Sequence, residues 1–158
     1  MSDITANRAA RGATSQTAST TTTDWGLLIL RVVLGIVFVM HGWPKVAGFS
    51  QTMAGMTHTG IPAPLVALDI FTEFFGGLAL IAGALARLAS TGIIVVMLVA
   101  IFKVHLANGF FMNWFGTQKG EGIEYHLLVI AMALMVILGG PGRFALGDWE
   151  KRWAVRKS

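Results

Sequence analysis

The sequence contains no cysteine. This excludes disulfides, thiolate catalysis and cysteine-ligated zinc or iron–sulfur centres, so any redox chemistry needs a separately bound cofactor or a quinone. Charge is scarce too: 13% of the 158 residues are charged against 54% hydrophobic. At a mean hydropathy of +0.67, a water-soluble domain of this size lacks the polar surface to cover itself. The formal net charge of +4 comes without a helix-turn-helix pattern or a basic–aromatic groove, which argues against nucleic acid as a partner. The basic residues gather toward the chain ends, as flanks facing anionic headgroups do. The partner that composition implies is a lipid bilayer.

Long apolar runs are what the chain has instead. Four spans are predicted: about 25–46 (WGLLILRVVLGIVFVMHGWPKV), about 64–86, about 88–108 (LASTGIIVVMLVAIFKVHLAN) and about 123–140 (IEYHLLVIAMALMVILGG). Pro62 and Pro64 are placed to open the second, and Pro141 with Gly142 stops the fourth. Only Arg87 and its neighbours separate the second and third, which requires a tight helical hairpin. The expected fold is therefore an all-α integral membrane bundle of four transmembrane helices over residues 24–149. Residues 1–23, with the low-complexity stretch ATSQTASTTTT, read as a disordered tail, and residues 150–158 as a basic tail. A cleaved signal peptide competes for the N-terminus, but the first run is too long for a signal core and lacks a cleavage pattern.

Lysine and arginine set the expected orientation. One side carries Arg8, Arg11, Arg87, Arg143, Lys151, Arg152, Arg156 and Lys157, the other only Lys45, Lys103 and Lys119. That asymmetry places both termini in the cytoplasm. The loop between the third and fourth spans then faces outward. Its Phe110, Phe111, Trp114 and Phe115 read as interfacial anchors or partner contacts, with Trp149 and Trp153 in that role on the cytoplasmic side.

Ionisable groups inside spans face protein, water or one another. At about 100° per residue, Arg31, Gly35, Phe38, His41, Gly42 and Lys45 share one stripe of the first span. Asp69, Glu73, Gly76, Gly77, Leu80, Gly83 and Arg87 share one of the second. Glycines allow close approach, so the two stripes are expected to pack together. Estimated depths pair Arg31 with Glu73 inside the membrane and His41 with Asp69 nearer the outer surface, where the carboxylate would fix the imidazole tautomer. His41, Lys45, Asp69, His105 and Glu124 then outline a polar pocket at the outer interface. A metal site from His41, His105, His126 and Glu124 is disfavoured, because Glu124 and His126 point about 200° apart on one helix.

These elements resemble the DoxX family of small four-helix bacterial membrane proteins. The resemblance rests on LRVVLGIVFVMHGWPKV, GIPAP, EFFGGLALIAGALAR and EYHLLVIAMALMVILGGPGRFALGDW, and it covers roughly residues 25–149. Family motif positions fall on Arg31, His41, Gly42, Lys45, Glu73, Gly77, Arg87, Glu124 and the Gly140–Arg143 turn; His105 and His126 are less typical. The resemblance implies a multi-pass protein of the bacterial inner membrane, often associated with oxidoreductase systems such as thiosulfate:quinone oxidoreductase.

Two functions are carried forward. In the first, the chain is a redox-associated subunit that contributes a quinone-headgroup pocket, with no covalently bound cofactor, no metal and no catalysis of electron transfer on its own. In the second, it is a non-catalytic accessory subunit packing against a larger membrane complex. Oligomerisation, with itself or with other redox-complex subunits, suits both. A transporter reading lacks the broken helices and inverted repeat that one requires.

Overall fold

A computed structural model describes residues 2–142 and 144–146, with side chains from Thr22 onward. The secondary structure of the described residues is all helical, joined by turns and a loop over residues 109–123, with no strand. Helix α1 is bounded Ser2–Ala47, and its membrane-crossing part is Thr22–Ala47. Of the tail expected over residues 1–23, residues 2–21 fall on the part of α1 that precedes the span, and Thr22 and Thr23 open the span itself. The basic tail 150–158, Arg143, Trp149 and Trp153 lie outside the described residues. The remaining elements are α2 (Phe49–His58), α3 (Ala63–Ala82), α4 (Ala86–Asn108) and α5 (Glu124–Gly139).

Length decides which helices cross a bilayer. The span in α1 has 26 residues, α3 has 20 and α4 has 23, or about 39, 30 and 34 Å at 1.5 Å per residue against a hydrocarbon core of about 30 Å. All three are apolar enough to span. Helix α5, with 16 residues, is equally apolar but only about 24 Å long. Neither α3 nor α4 is regular. Each contains one wider π turn, Thr72–Gly76 in α3 and Ile101–His105 in α4, and α4 then ends in a 3₁₀ turn at Leu106–Asn108. Such turns occur frequently at functional sites, and here one carries Glu73 and the other ends on His105.

The glycine-bearing stripes of α1 and α3 do meet. A Cβ built on Gly35 would lie 2.6 Å from the Gly77 carbonyl oxygen, and one on Gly77 would lie 2.8 Å from the Gly35 oxygen. A Cβ on Gly42 would run into the backbone of Glu73 and Phe74. The two backbones therefore touch, and side chains larger than hydrogen are excluded along this seam. Leu34 and Phe38 of α1 then pack with Leu80 of α3, Ile93, Val96 and Met97 of α4, and Val129, Ala133 and Val136 of α5, forming the main core.

The hairpin joining α3 to α4 turns at residues 83–85, slightly before Arg87, which lies exposed in the first turn of α4. Gly83 takes φ +70° and closes the end of α3 with bonds from Gly83 N to Leu80 O (3.1 Å) and Ala84 N to Ala79 O (3.0 Å). Leu85 holds φ 54°, the one positive-φ residue other than glycine among the described residues.

Helix α2 was not anticipated between the first two spans. It buries no residue fully, but Met53 and Met56 rest against Ile61, Val66 and Ile70. Its signal was the i, i+4, i+7 spacing of Phe49, Met53 and Met56, easily hidden among glycine, serine and threonine.

Candidate functional site

The polar side chains of the first two spans meet in an axial register different from the expected one. Arg31 is 1% exposed and makes no ion pair with Glu73. Its Nη1 donates to the carbonyls of Leu80 and Ile81, both at 2.8 Å, and its Nη2 donates to Phe144 O at 2.7 Å. The guanidinium thus satisfies carbonyls left open at the end of α3 and fastens the segment after α5 to them. Glu73 lies seven residues before Leu80, or about 10 Å farther along the helix, which is why the expected pair cannot form.

Glu73 pairs instead with Lys45. Lys45 Nζ stands 2.6 Å from Asp69 Oδ2 and 2.8 Å from Glu73 Oε2. Asp69 and Glu73 are buried and Lys45 is partly exposed. The Asp69 contact is an aligned hydrogen bond, whereas Glu73 Oε2 is within ion-pair distance without that alignment and makes no hydrogen bond. The expected His41–Asp69 bond is therefore replaced by Lys45–Asp69. The helix explains the exchange: Lys45 is one turn beyond His41 on the same stripe, and its flexible stem reaches both carboxylates of the i, i+4 pair. His41 is exposed, with its ring 6.3 Å from that of Tyr125.

A second polar group assembles where α4, the following loop and the start of α5 converge. The rings of His105 and His126 are 4.2 Å apart. His105 Nδ1 is bonded to Glu121 O at 2.8 Å, and Asn108 Nδ2 donates to the same oxygen at 3.1 Å. His126 is 5% exposed, and its Nδ1 makes no hydrogen bond. Glu124 does not join this group. Its Oε2 accepts from Met112 N at 3.2 Å, tying the loop to the start of α5. The angular separation of Glu124 and His126 decides this: one side chain turns to the loop and the other inward.

Between the two groups lies a cavity of about 310 Å³. It brings together His41, Lys45, Asp69 and His105 of the expected pocket, leaves out Glu124, and adds Glu73, Glu121, Tyr125 and His126. The remaining walls are mainly apolar, with Phe38, Ile61, Leu65 and Val96 among them. This volume is at the small end of ordinary ligand sites, and an apolar slot with a few convergent polar groups is their usual chemistry. Two buried polar atoms on its walls, Glu73 Oε2 and His126 Nδ1, lack hydrogen bonds, although Glu73 Oε2 is ion-paired with Lys45. Among the described residues, no three His, Asp or Glu side chains are grouped closely enough to hold a metal ion.

The loop lends Met112 and Glu121 to the cavity wall, but its four aromatic side chains stand apart from the cavity. Trp114 and Phe115 are 76% and 90% exposed, and Phe110 and Phe111 are exposed with them. Internal bonds shape the loop, from Asn113 N to Glu121 Oε2 at 2.7 Å and from Gln118 N to Asn113 Oδ1 at 3.0 Å.

Comparison with known proteins gives concordant results. The sequence model of the DoxX family matches residues 26–106, a segment holding Arg31, His41, Lys45, Asp69, Glu73 and His105 but ending before Tyr125 and His126. Inner membrane protein YqjF of Escherichia coli (strain K12) is 29% identical over 131 residues, covering 82% of this chain and 96% of that protein. Putative oxidoreductase CatD of Bacillus subtilis (strain 168) is 26% identical over 121 residues, covering 77% and 84%. An uncharacterized protein of Haemophilus influenzae is 30% identical over 125 residues, covering 77% and 88%. No solved structure matches.

Proposed function

The chain belongs to the DoxX family, and on that premise we propose that it is a multi-pass subunit of a redox assembly in the bacterial inner membrane, holding a quinone headgroup in its cavity. The observation that carries this reading is the meeting of Lys45, Asp69 and Glu73 with His105, His126 and Tyr125 around one largely apolar slot. A quinone ring needs apolar walls and hydrogen-bonding partners at its oxygens, and its tail needs a route to lipid. The names of two relatives, an inner membrane protein and a putative oxidoreductase, agree with this role. With no cysteine in the chain, a partner subunit brings the electrons. The basic residues of the two tails and Arg87 support a cytoplasmic position for both termini, with α5 taken as a fourth span and the cavity toward the outer surface.

The test is equilibrium binding of a short-chain quinone to the purified full-length protein in detergent. Lys45→Gln is expected to weaken binding by about tenfold, the effect of losing a charged donor to a quinone oxygen. A folded wild-type protein that binds neither the oxidised nor the reduced form of the quinone ends this reading.

A second reading, a non-catalytic accessory subunit, is favoured by the exposure of Trp114 and Phe115. In that case the loop docks onto a larger complex, and the Lys45 and His105 groups only hold helices together. Quinone binding would then be absent, whereas loop substitutions would release the partner.

A further inference from the structure

We infer that the cavity selects the reduced, dihydroxy form of its ligand over the dicarbonyl form, an inference that rests on the quinone reading above. A quinone oxygen can only accept hydrogen bonds, whereas each quinol hydroxyl also donates one. The hydrogen-bonding inventory of the walls therefore decides between the two forms.

The inventory is weighted toward acceptors. The oxygen facing His105 Nδ1 at 2.8 Å is the backbone carbonyl of Glu121. A carbonyl cannot donate, so Nδ1 carries the proton, and in the neutral ring Nε2 is left as a lone-pair acceptor. Asn108 Nδ2 donates to the same carbonyl, which keeps that oxygen in the accepting role. On the opposite wall, Lys45 gives one of its three N–H groups to Asp69 in an aligned hydrogen bond, while Glu73 Oε2 lies 2.8 Å from the same ammonium without that alignment. At most two ammonium protons remain for a ligand. Against them stand two carboxylates with about four acceptor sites each, and Glu73 Oε2 is buried without any hydrogen bond. The Lys45, Asp69 and Glu73 group has a formal charge of −1, which favours the positive end of an O–H dipole over the negative end of a C=O. Tyr125, His41 and His126 can serve as donor or acceptor by rotation or tautomer, so they do not tip the balance.

A quinone placed here would set its carbonyls against carboxylate and imidazole lone pairs and leave Glu73 Oε2 unsatisfied. A quinol supplies the missing donors, one hydroxyl toward Glu73 and the other toward the histidine pair. Mismatched buried hydrogen-bonding groups discriminate more strongly than small differences in shape.

The experiment compares duroquinol with duroquinone, both binding anaerobically to the full-length protein in detergent. The quinol is expected to bind at least about tenfold more tightly, which raises the two-electron midpoint potential of the bound couple by about 30 mV. Glu73→Gln replaces an acceptor oxygen with an amide donor and is expected to cut the preference below about threefold, mainly by weakening quinol binding. Equal affinities, or tighter binding of the quinone by the wild-type protein, overturn this inference and leave the cavity a quinone site. If neither form binds to the folded protein, the quinone reading falls and this inference with it. The wild-type comparison decides on its own should the variant fail to fold.

Discussion

Lys45 of α1 lies 2.6 Å from Asp69 of α3, and the same ammonium is 2.8 Å from Glu73 one helical turn farther on. One cation thus holds two carboxylates that would otherwise repel each other inside the bundle. Stability therefore depends on Lys45 more than on either acid alone.

Replacing Lys45 with Met leaves two buried carboxylates without their counter-ion. The expected loss is about 2–3 kcal/mol, the lower end for a broken buried pair because Lys45 is partly exposed. Thermal unfolding in detergent measures it. The double variant Lys45→Met with Glu73→Gln should recover at least about 1 kcal/mol of that loss, since one stranded charge is removed. A double variant no more stable than the single one would show that the triad is not electrostatically coupled.

The seam between α1 and α3 predicts a contrast between glycines. Gly42→Ala places a Cβ against the backbone of Glu73 and Phe74 and should cost about 2 kcal/mol or more, because two helices must separate. Gly55→Ala in α2, where a Cβ meets nothing within 4 Å, should stabilise by about 0.5 kcal/mol through helix propensity. Equal effects at the two positions would contradict the packing described for the seam.

Arg31 gives a third prediction. Its fork reaches carbonyls on two separate segments, Leu80 with Ile81 and Phe144. Lysine cannot reproduce that geometry, so Arg31→Lys should lose nearly as much as Arg31→Met, about 3 kcal/mol from bonds between a charged donor and buried carbonyls. Limited proteolysis should also cut sooner beyond Gly140. If Arg31→Lys is as stable as the wild type, simple charge rather than the fork is what the site requires.

The exposed loop predicts a different kind of effect. Trp114→Ser with Phe115→Ser should change unfolding by no more than about 0.5 kcal/mol, since neither side chain is packed. Chemical cross-linking in native membranes should show the loss of a neighbouring subunit if the loop docks onto one. An unchanged cross-linking pattern would leave these aromatics as membrane anchors.

The sequence made the first three of the four expected spans legible because apolar length is a one-dimensional property. It also made the inward stripes legible, because helical period alone fixes which residues share a face. His41, Lys45, Asp69 and His105 were found as neighbours of one cavity for that reason. Glu73 was assigned to the wrong partner, and Glu124 to a pocket it does not line. Glu121 and Tyr125 were missed, because they belong to a loop and a helix start whose path no periodicity specifies.

The register between helices was not legible. Residue numbers fix distance along one helix, but nothing in them fixes how far one helix slides along another. That offset is set by backbone contact at Gly35, Gly42 and Gly77, and it brings Arg31 opposite Leu80 and Lys45 opposite Glu73. The chain by itself determined that charged faces would turn inward, because lipid cannot solvate them. Only the tertiary structure decided which charges meet, because ion pairing falls off within a few ångströms while a single helical turn displaces a side chain by about 5.4 Å.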